Sequence, residues 1–222
     1  MLNTNMKEAY EKYLENQINI KMKYAFNEEP SITNTLNSLA IENNGKLEGL
    51  NFRIKTKESV TRKIISQLEA INDYSNKTIK NEVDNIKDYL RYTIVLDDNS
   101  YSKNVISILS ALKSKKYKLI GYKNRFKDLF YKDIICHFIS NTENNNFKFE
   151  IQFHTKDSLR AKNITHYLYE IIREDKKISI EKIIYQIRNA MLEEYNSINE
   201  PNNTDIIDKY SHEYLEGENI YG

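Results

Sequence analysis

Glycine, proline and cysteine are all scarce in this chain of 222 residues, which has five glycines, two prolines (Pro30 and Pro201) and one cysteine, Cys136. With so little glycine there is no Gly-rich loop to cradle a phosphate by backbone N–H groups, so any phosphate must be held by side chains. A lone cysteine excludes an internal disulfide and a thiolate metal site. Set in the apolar run Ile134 to Ile139, it reads as core packing. No apolar run approaches the roughly 20 residues that span a bilayer, and Met1 to Lys7 carry no signal-peptide core. The expectation is a protein without membrane segments that acts in the cytoplasm, with export as an effector by a route independent of a signal peptide left open. A dominant charge is missing too: 33 Lys and Arg against 32 Asp and Glu disfavour a basic nucleic-acid-coating protein and leave room only for a local basic pocket.

With 40% hydrophobic residues the chain is long enough for one well-packed domain with helical appendages. Helical periodicity is expected over 6–26, ended by Pro30, with a short helix after Ser31. A second helix is expected over 57–73, where Val60, Ile64, Ile65, Leu68 and Ile71 form one face, and a third over 102–114. Strands are expected over 91–96, 117–123, 131–140 and 147–154, the last two joined by the polar stretch Asn141 to Asn146. Helices return over 157–174, with Ala161, Ile164, Leu168, Ile171 and Ile172 inward, and over 178–196. The polar, Tyr-rich tail after Pro201 reads as loosely held or partner-binding. Strands and helices do not strictly alternate, so the fold class is α+β, a mixed sheet of about five strands flanked by helices. Its expected organisation is an N-terminal helical segment (1–44), a central unit (45–175) and a C-terminal helix and tail (176–222) packed on that unit.

The most informative stretch is 147–155. Alternation puts Phe147, Phe149, Ile151 and Phe153 on one strand face and Glu150, Gln152 and His154 on the other. Upstream, Lys55, Ser59 and Lys63 recur every four residues, so a helix that starts early enough stacks two cations and a hydroxyl along one face; the alternative is an ordinary solvated basic face. Asp88 precedes a strand and Glu150 lies within one, so neighbouring strands can bring two hard carboxylate ligands to one Mg²⁺; Asp88 reads equally well as a cap. Tyr131, at the expected start of a strand, is either a base-stacking ring or a packing residue. On the helix over 157–174, Lys162, His166, Tyr169 and Arg173 share one polar stripe.

In order, Arg53-x-Lys55 with Ser59 and Lys63, Asp88 before a strand, Tyr131-x-Asp133, Glu150-x-Gln152-x-His154-Thr155 and His166 resemble the synthetase domain of the RelA/SpoT nucleotide pyrophosphokinases over roughly residues 45–175. The style of the motifs is closer to the divergent toxin and phage-associated branch. The resemblance implies transfer of the β,γ-pyrophosphate of ATP to a ribose hydroxyl of a nucleotide acceptor, with release of AMP. It implies that Arg53, Lys55, Ser59, Lys63, Gln152, His154 and His166 serve ATP, that Asp88 and Glu150 hold Mg²⁺ with Glu150 also the base, and that Tyr131, with Lys123 and Arg125, serves the acceptor. The acceptor implied is a nucleotide, adenine nucleotides included; tRNA 3′ ends, guanine nucleotides, and a non-catalytic module retaining the fold are the other readings. A toxin of this branch also implies an immunity or antitoxin partner. The chain departs from the family where Phe130-Tyr131-Lys132-Asp133 replaces the usual Gly-Tyr-x-Ser acceptor loop, and where His154 replaces an arginine.

Overall fold

The structure is a computed structural model that describes residues 4–140, 146–174 and 181–219. Among them the elements run α1 (Thr4–Glu42), β1 (Lys46–Glu48), α2 (Lys57–Ile71), α3 (Asn76–Asn85), β2 (Leu90–Val95), α4 (Tyr101–Ser114), β3 (Lys118–Asn124), β4 (Ile134–Ile139), β5 (Lys148–His154), α5 (Lys156–Glu174), α6 (Glu181–Asn196) and α7 (Thr204–Asn219). The five strands form one mixed sheet ordered β1-β2-β5-β4-β3. Only β2 and β5 pair in parallel; the other neighbours are antiparallel. The expected α+β class with a helix-flanked mixed sheet is what the chain adopts.

The period-2 pattern of β5 explains its central place. Phe149, Ile151 and Phe153 are fully buried, and Phe149 packs against Tyr92, Tyr117 and Phe138. The opposite face is not solvated either, since Glu150, Gln152 and His154 are also buried. A strand covered on both sides that still carries three polar residues must have partners for them.

Four expectations are corrected by tertiary packing. Pro30 does not end a helix: α1 continues through it to Glu42. Its ring is exposed, while Ala25, Ile32 and Leu36 on either side are buried, and that burial offsets the lost hydrogen bond. The tail after Pro201 is helical: Ile207, Ser211 and Tyr214 in α7 are buried, and the Tyr214 hydroxyl donates to the Tyr117 carbonyl at 2.5 Å. Ile164 is exposed and does not join the inward face of α5. Tyr131 does not begin a strand, because β4 starts at Ile134 and Tyr131 sits in the left-handed region, with φ of 66°. β1 and α3, unread in the sequence, complete the sheet edge and the helical layer. The stretch from Asn141 to Asn145 lies outside the described residues, but the antiparallel β4–β5 pairing it connects is present, and Cys136 is buried in it.

Candidate active site

β2 and β5 run side by side with Arg91 opposite Glu150 and Thr93 opposite Gln152. A cleft of about 260 Å³ opens over this junction, lined by Asp88, Arg91, Arg125, Tyr131, Glu150, Gln152, Lys162 and His166 among others. Both predicted carboxylates therefore reach one cleft.

Asp88 lies in the short connection from α3 to β2 and is 9% exposed. Lys55 Nζ donates to its Oδ2 at 2.5 Å and Lys63 Nζ to its Oδ1 at 2.9 Å. Burial opposes ionisation, but the bonds and charges of Lys55 and then Lys63 outweigh it and hold the carboxyl at about 2. A group whose folded pKa is depressed contributes stability above its unfolded pKa and loses it as pH falls through the folded value. Acidification from pH 5 to pH 2 is therefore expected to cost on the order of 2 kcal/mol through Asp88 alone, and Asp88→Asn should flatten that part of the stability-pH curve measured by denaturant unfolding.

Lys55 and Lys63 converge although the reason expected from spacing is not the operative one. α2 begins at Lys57, so Lys55 precedes the helix, and Thr56 caps it by accepting from the Ser59 backbone N–H. Ser59 stays local, with its hydroxyl taking a bond from Thr56 at 3.1 Å. Arg53 is bound to Glu29 of α1 at 2.5 Å and to the Leu50 carbonyl at 2.6 Å, and does not line the cleft.

On β5, Gln152 Nε2 donates to Glu150 Oε1 at 2.6 Å, and His137 Nε2 lies 3.1 Å from Glu150 Oε2. His137 has room because its neighbour across β3 is Gly121, where a Cβ would meet His137 Nδ1 at 3.1 Å. Lys162 of α5 donates to Gln152 Oε1 at 2.5 Å. Burial foremost, with the positive charges of Arg91 and Arg125, lowers Lys162 to about 8 against the pull of Asp133 and Glu150.

Behind Tyr131 sits a buried ionic cluster. Arg125 grips Asp133 through both carboxylate oxygens at 2.6 and 2.5 Å, and its guanidinium lies 4.6 Å from the centre of the Tyr131 ring. His154 is 1% exposed; its Nδ1 pairs with Ser158 Oγ at 2.9 Å, and its Nε2 stands 3.2 Å from Asp133 without a well-aligned hydrogen bond. Burial, against the pull of Asp133, pushes the His154 pKa down. His154 thus supports the Asp133 cluster and does not line the cleft. Lys123 is exposed and engaged with Asp128 at 2.6 Å, also outside the cleft. Of the expected residues, Asp88, Glu150, Gln152, His166, Tyr131 and Arg125 are brought together, with Lys55 and Lys63 joined through Asp88. Arg91 also lines the cleft and is not among the expected site residues; the alternation of β2, which puts it beside Glu150, is the signal for its place.

Asp88 and Glu150 offer hard oxygen donors suited to Mg²⁺ shared with phosphates, whereas among the described residues no group of three or more His, Cys, Asp and Glu forms a metal cage. Two carboxylates of this kind are a donor set that fits Mg²⁺.

No protein-family model and no curated protein matches the sequence. Among solved structures, the small alarmone synthetase 2 from Bacillus subtilis matches with a TM-score of 0.51 at 15% identity, over 90% of this chain and 96% of its own. The small alarmone synthetase 1 from the same organism matches at 0.50 and 11%, over 89% and 95%. The type VI effector Tas1, solved in complex with its immunity protein, matches at 0.46 and 17%, over 85% and 95%. The fold is that of the small alarmone synthetases. Among the described residues no helix is long and apolar enough to cross a membrane.

Proposed function

We propose that the protein is an ATP-dependent pyrophosphokinase that transfers the β,γ-pyrophosphate of ATP to a ribose hydroxyl of a nucleotide. The observation that carries this reading is one cleft, on a small alarmone synthetase fold, that combines a lysine-clamped Asp88, a doubly hydrogen-bonded Glu150 and the ring of Tyr131. Such transfer needs positioning and charge stabilisation more than covalent chemistry. Asp88 and Glu150 would hold Mg²⁺, which when bound neutralises charge on the polyphosphate. Lys55 and Lys63, when a nucleotide replaces their contacts with Asp88, supply cations to its phosphates. Glu150 takes the proton of the acceptor hydroxyl as its oxygen bonds to the β-phosphorus, and the α,β-bridging bond breaks to release AMP. His166 lines the same cleft from α5. Adenine nucleotides are the first acceptors to test, because the family's Gly-Tyr-x-Ser acceptor loop is replaced here.

The test is incubation with γ-labelled ATP and a panel of AMP, ADP, ATP, GDP, GTP and bulk tRNA. Label on a nucleotide, with stoichiometric AMP, is the expected result; no AMP with any acceptor refutes the reading, and label on tRNA alone moves the acceptor to a different class. Tyr131 gives a finer check. Tyr131→Ala is expected to weaken acceptor binding by roughly 1–3 kcal/mol and Tyr131→Phe far less, with ATP affinity nearly unchanged, because stacking uses the ring and not the hydroxyl. Titration calorimetry with each substrate separates this from a packing role, in which Tyr131→Ala impairs both substrates along with the melting temperature.

A further inference from the structure

We propose that Lys162 is a positioning residue for Glu150 that acts through Gln152. The inference rests on the proposed function only in taking Glu150 as the base.

The Lys162 ammonium has donors and no acceptor, so the amide atom that faces it must be Gln152 Oε1. The Gln152 amide group is then left facing Glu150, whose ionised oxygens only accept, and Nε2 donates to Oε1 at 2.6 Å. Each end of the amide thus has a partner that accepts only one orientation. From the neighbouring strand, His137 meets the other oxygen of Glu150 at 3.1 Å. Three consecutive elements of the chain, β4, β5 and α5, fix both oxygens of one carboxylate.

Gln152 and Glu150 are 6% and 8% exposed, so water cannot readily replace a lost partner. Without Lys162 the amide oxygen is left unpaired in a buried site and the side chain is no longer anchored at that end. As it shifts toward another donor it carries its bond to Glu150 with it and displaces the carboxylate that must meet the acceptor hydroxyl. A misplaced base lowers turnover more than ATP binding, because the phosphate cations Lys55 and Lys63 sit on Asp88 and not on this relay.

The experiment uses the full chain with Lys162→Met, Lys162→Arg, Gln152→Ala, Gln152→Glu and the Gln152→Ala/Lys162→Met double variant, each checked by thermal melting. In Lys162→Met, kcat for AMP release is expected to fall at least tenfold with KM for ATP changed less than twofold, and Lys162→Arg should recover part of the loss. The double variant should be no slower than Gln152→Ala, since the two changes break one relay. Losses that multiply would mean that Lys162 acts on substrate directly and would overturn the proposal, as would unchanged kcat in Lys162→Met. Gln152→Glu keeps an acceptor for Lys162 but no donor for Glu150; it covers a Lys162→Met that does not fold, and full activity in it sinks the relay. Independently of activity, the NMR resonance pair of the Gln152 side-chain amide should lose its protection from hydrogen exchange in Lys162→Met. A wild-type protein that releases no AMP yet shows this loss would refute the proposed function and leave the relay standing; protection retained in Lys162→Met would refute the relay itself.

Discussion

Glu150→Gln is expected to lower kcat for AMP release by roughly 10²–10⁴-fold, the range that a positioned general base supplies, while the melting temperature moves little. Glutamine keeps the size of glutamate and loses the charge and the basicity. The new amide must also rearrange its bonds: Gln152 Nε2 already points a donor at one carboxylate oxygen, and His137 faces the other. An amide can accept at only one of those positions, so the substituted side chain turns its oxygen to Gln152 and leaves its nitrogen to the adaptable His137 ring. That rearrangement preserves packing on β5 and removes both the proton acceptor and one hard ligand. Asp88→Asn removes the other ligand and leaves Lys55 and Lys63 beside an uncharged partner, so activity should be lost at every Mg²⁺ concentration tested. AMP release by both variants at the wild-type rate, with folding intact, would remove these carboxylates from the reaction.

How much of this was legible in the sequence follows from how local each cause is. β2 and β5 announce themselves because β-branched and aromatic residues alternate, and Glu150 and Gln152 inherit their places from that alternation. Asp88 was legible because it stands just before a strand. α3 was hidden: only Ile79 and Val83 of its ten residues reach the core, too few to set a period. The continuity of α1 through Pro30 was illegible in principle, since the local rule says stop and only the buried residues on both sides overrule it. Lys123, Arg53 and Ser59 had suitable chemistry at suitable spacing, but their hydrogen bonds go to Asp128, Glu29 and Thr56. The link from Arg125 to Asp133 depends on a loop whose shape, with Tyr131 left-handed, no periodicity encodes.

That loop supports the second large effect, in Arg125→Ala. The backbone N–H of Arg125 donates to the Asp133 carbonyl at 2.8 Å, so the side-chain fork and the main chain close the same segment. Asp133 is wholly buried, and removal of its partner strands a charge, which typically costs about 3–5 kcal/mol. Arg125→Lys should recover only part of this, because one ammonium cannot reproduce the two-pronged bond or lie flat over the Tyr131 ring. The sign of the pH dependence is diagnostic. In the wild type His154 and Arg125 hold Asp133 well below the usual carboxylate range against its burial, and burial in turn lowers the pKa of His154 against the pull of Asp133. Once Arg125 is gone, the buried carboxylate is relieved by one proton, taken either by Asp133 itself or by His154 at its side. Either site then has a folded pKa raised by the substitution, so its stabilisation is present at low pH and lost as pH rises. Denaturant unfolding should therefore find the deficit of Arg125→Ala smaller near about pH 5.5 than near about pH 8. An equal deficit at both values would mean that the stranded charge is not what the substitution exposes, and the loss would belong to packing on Tyr131 instead.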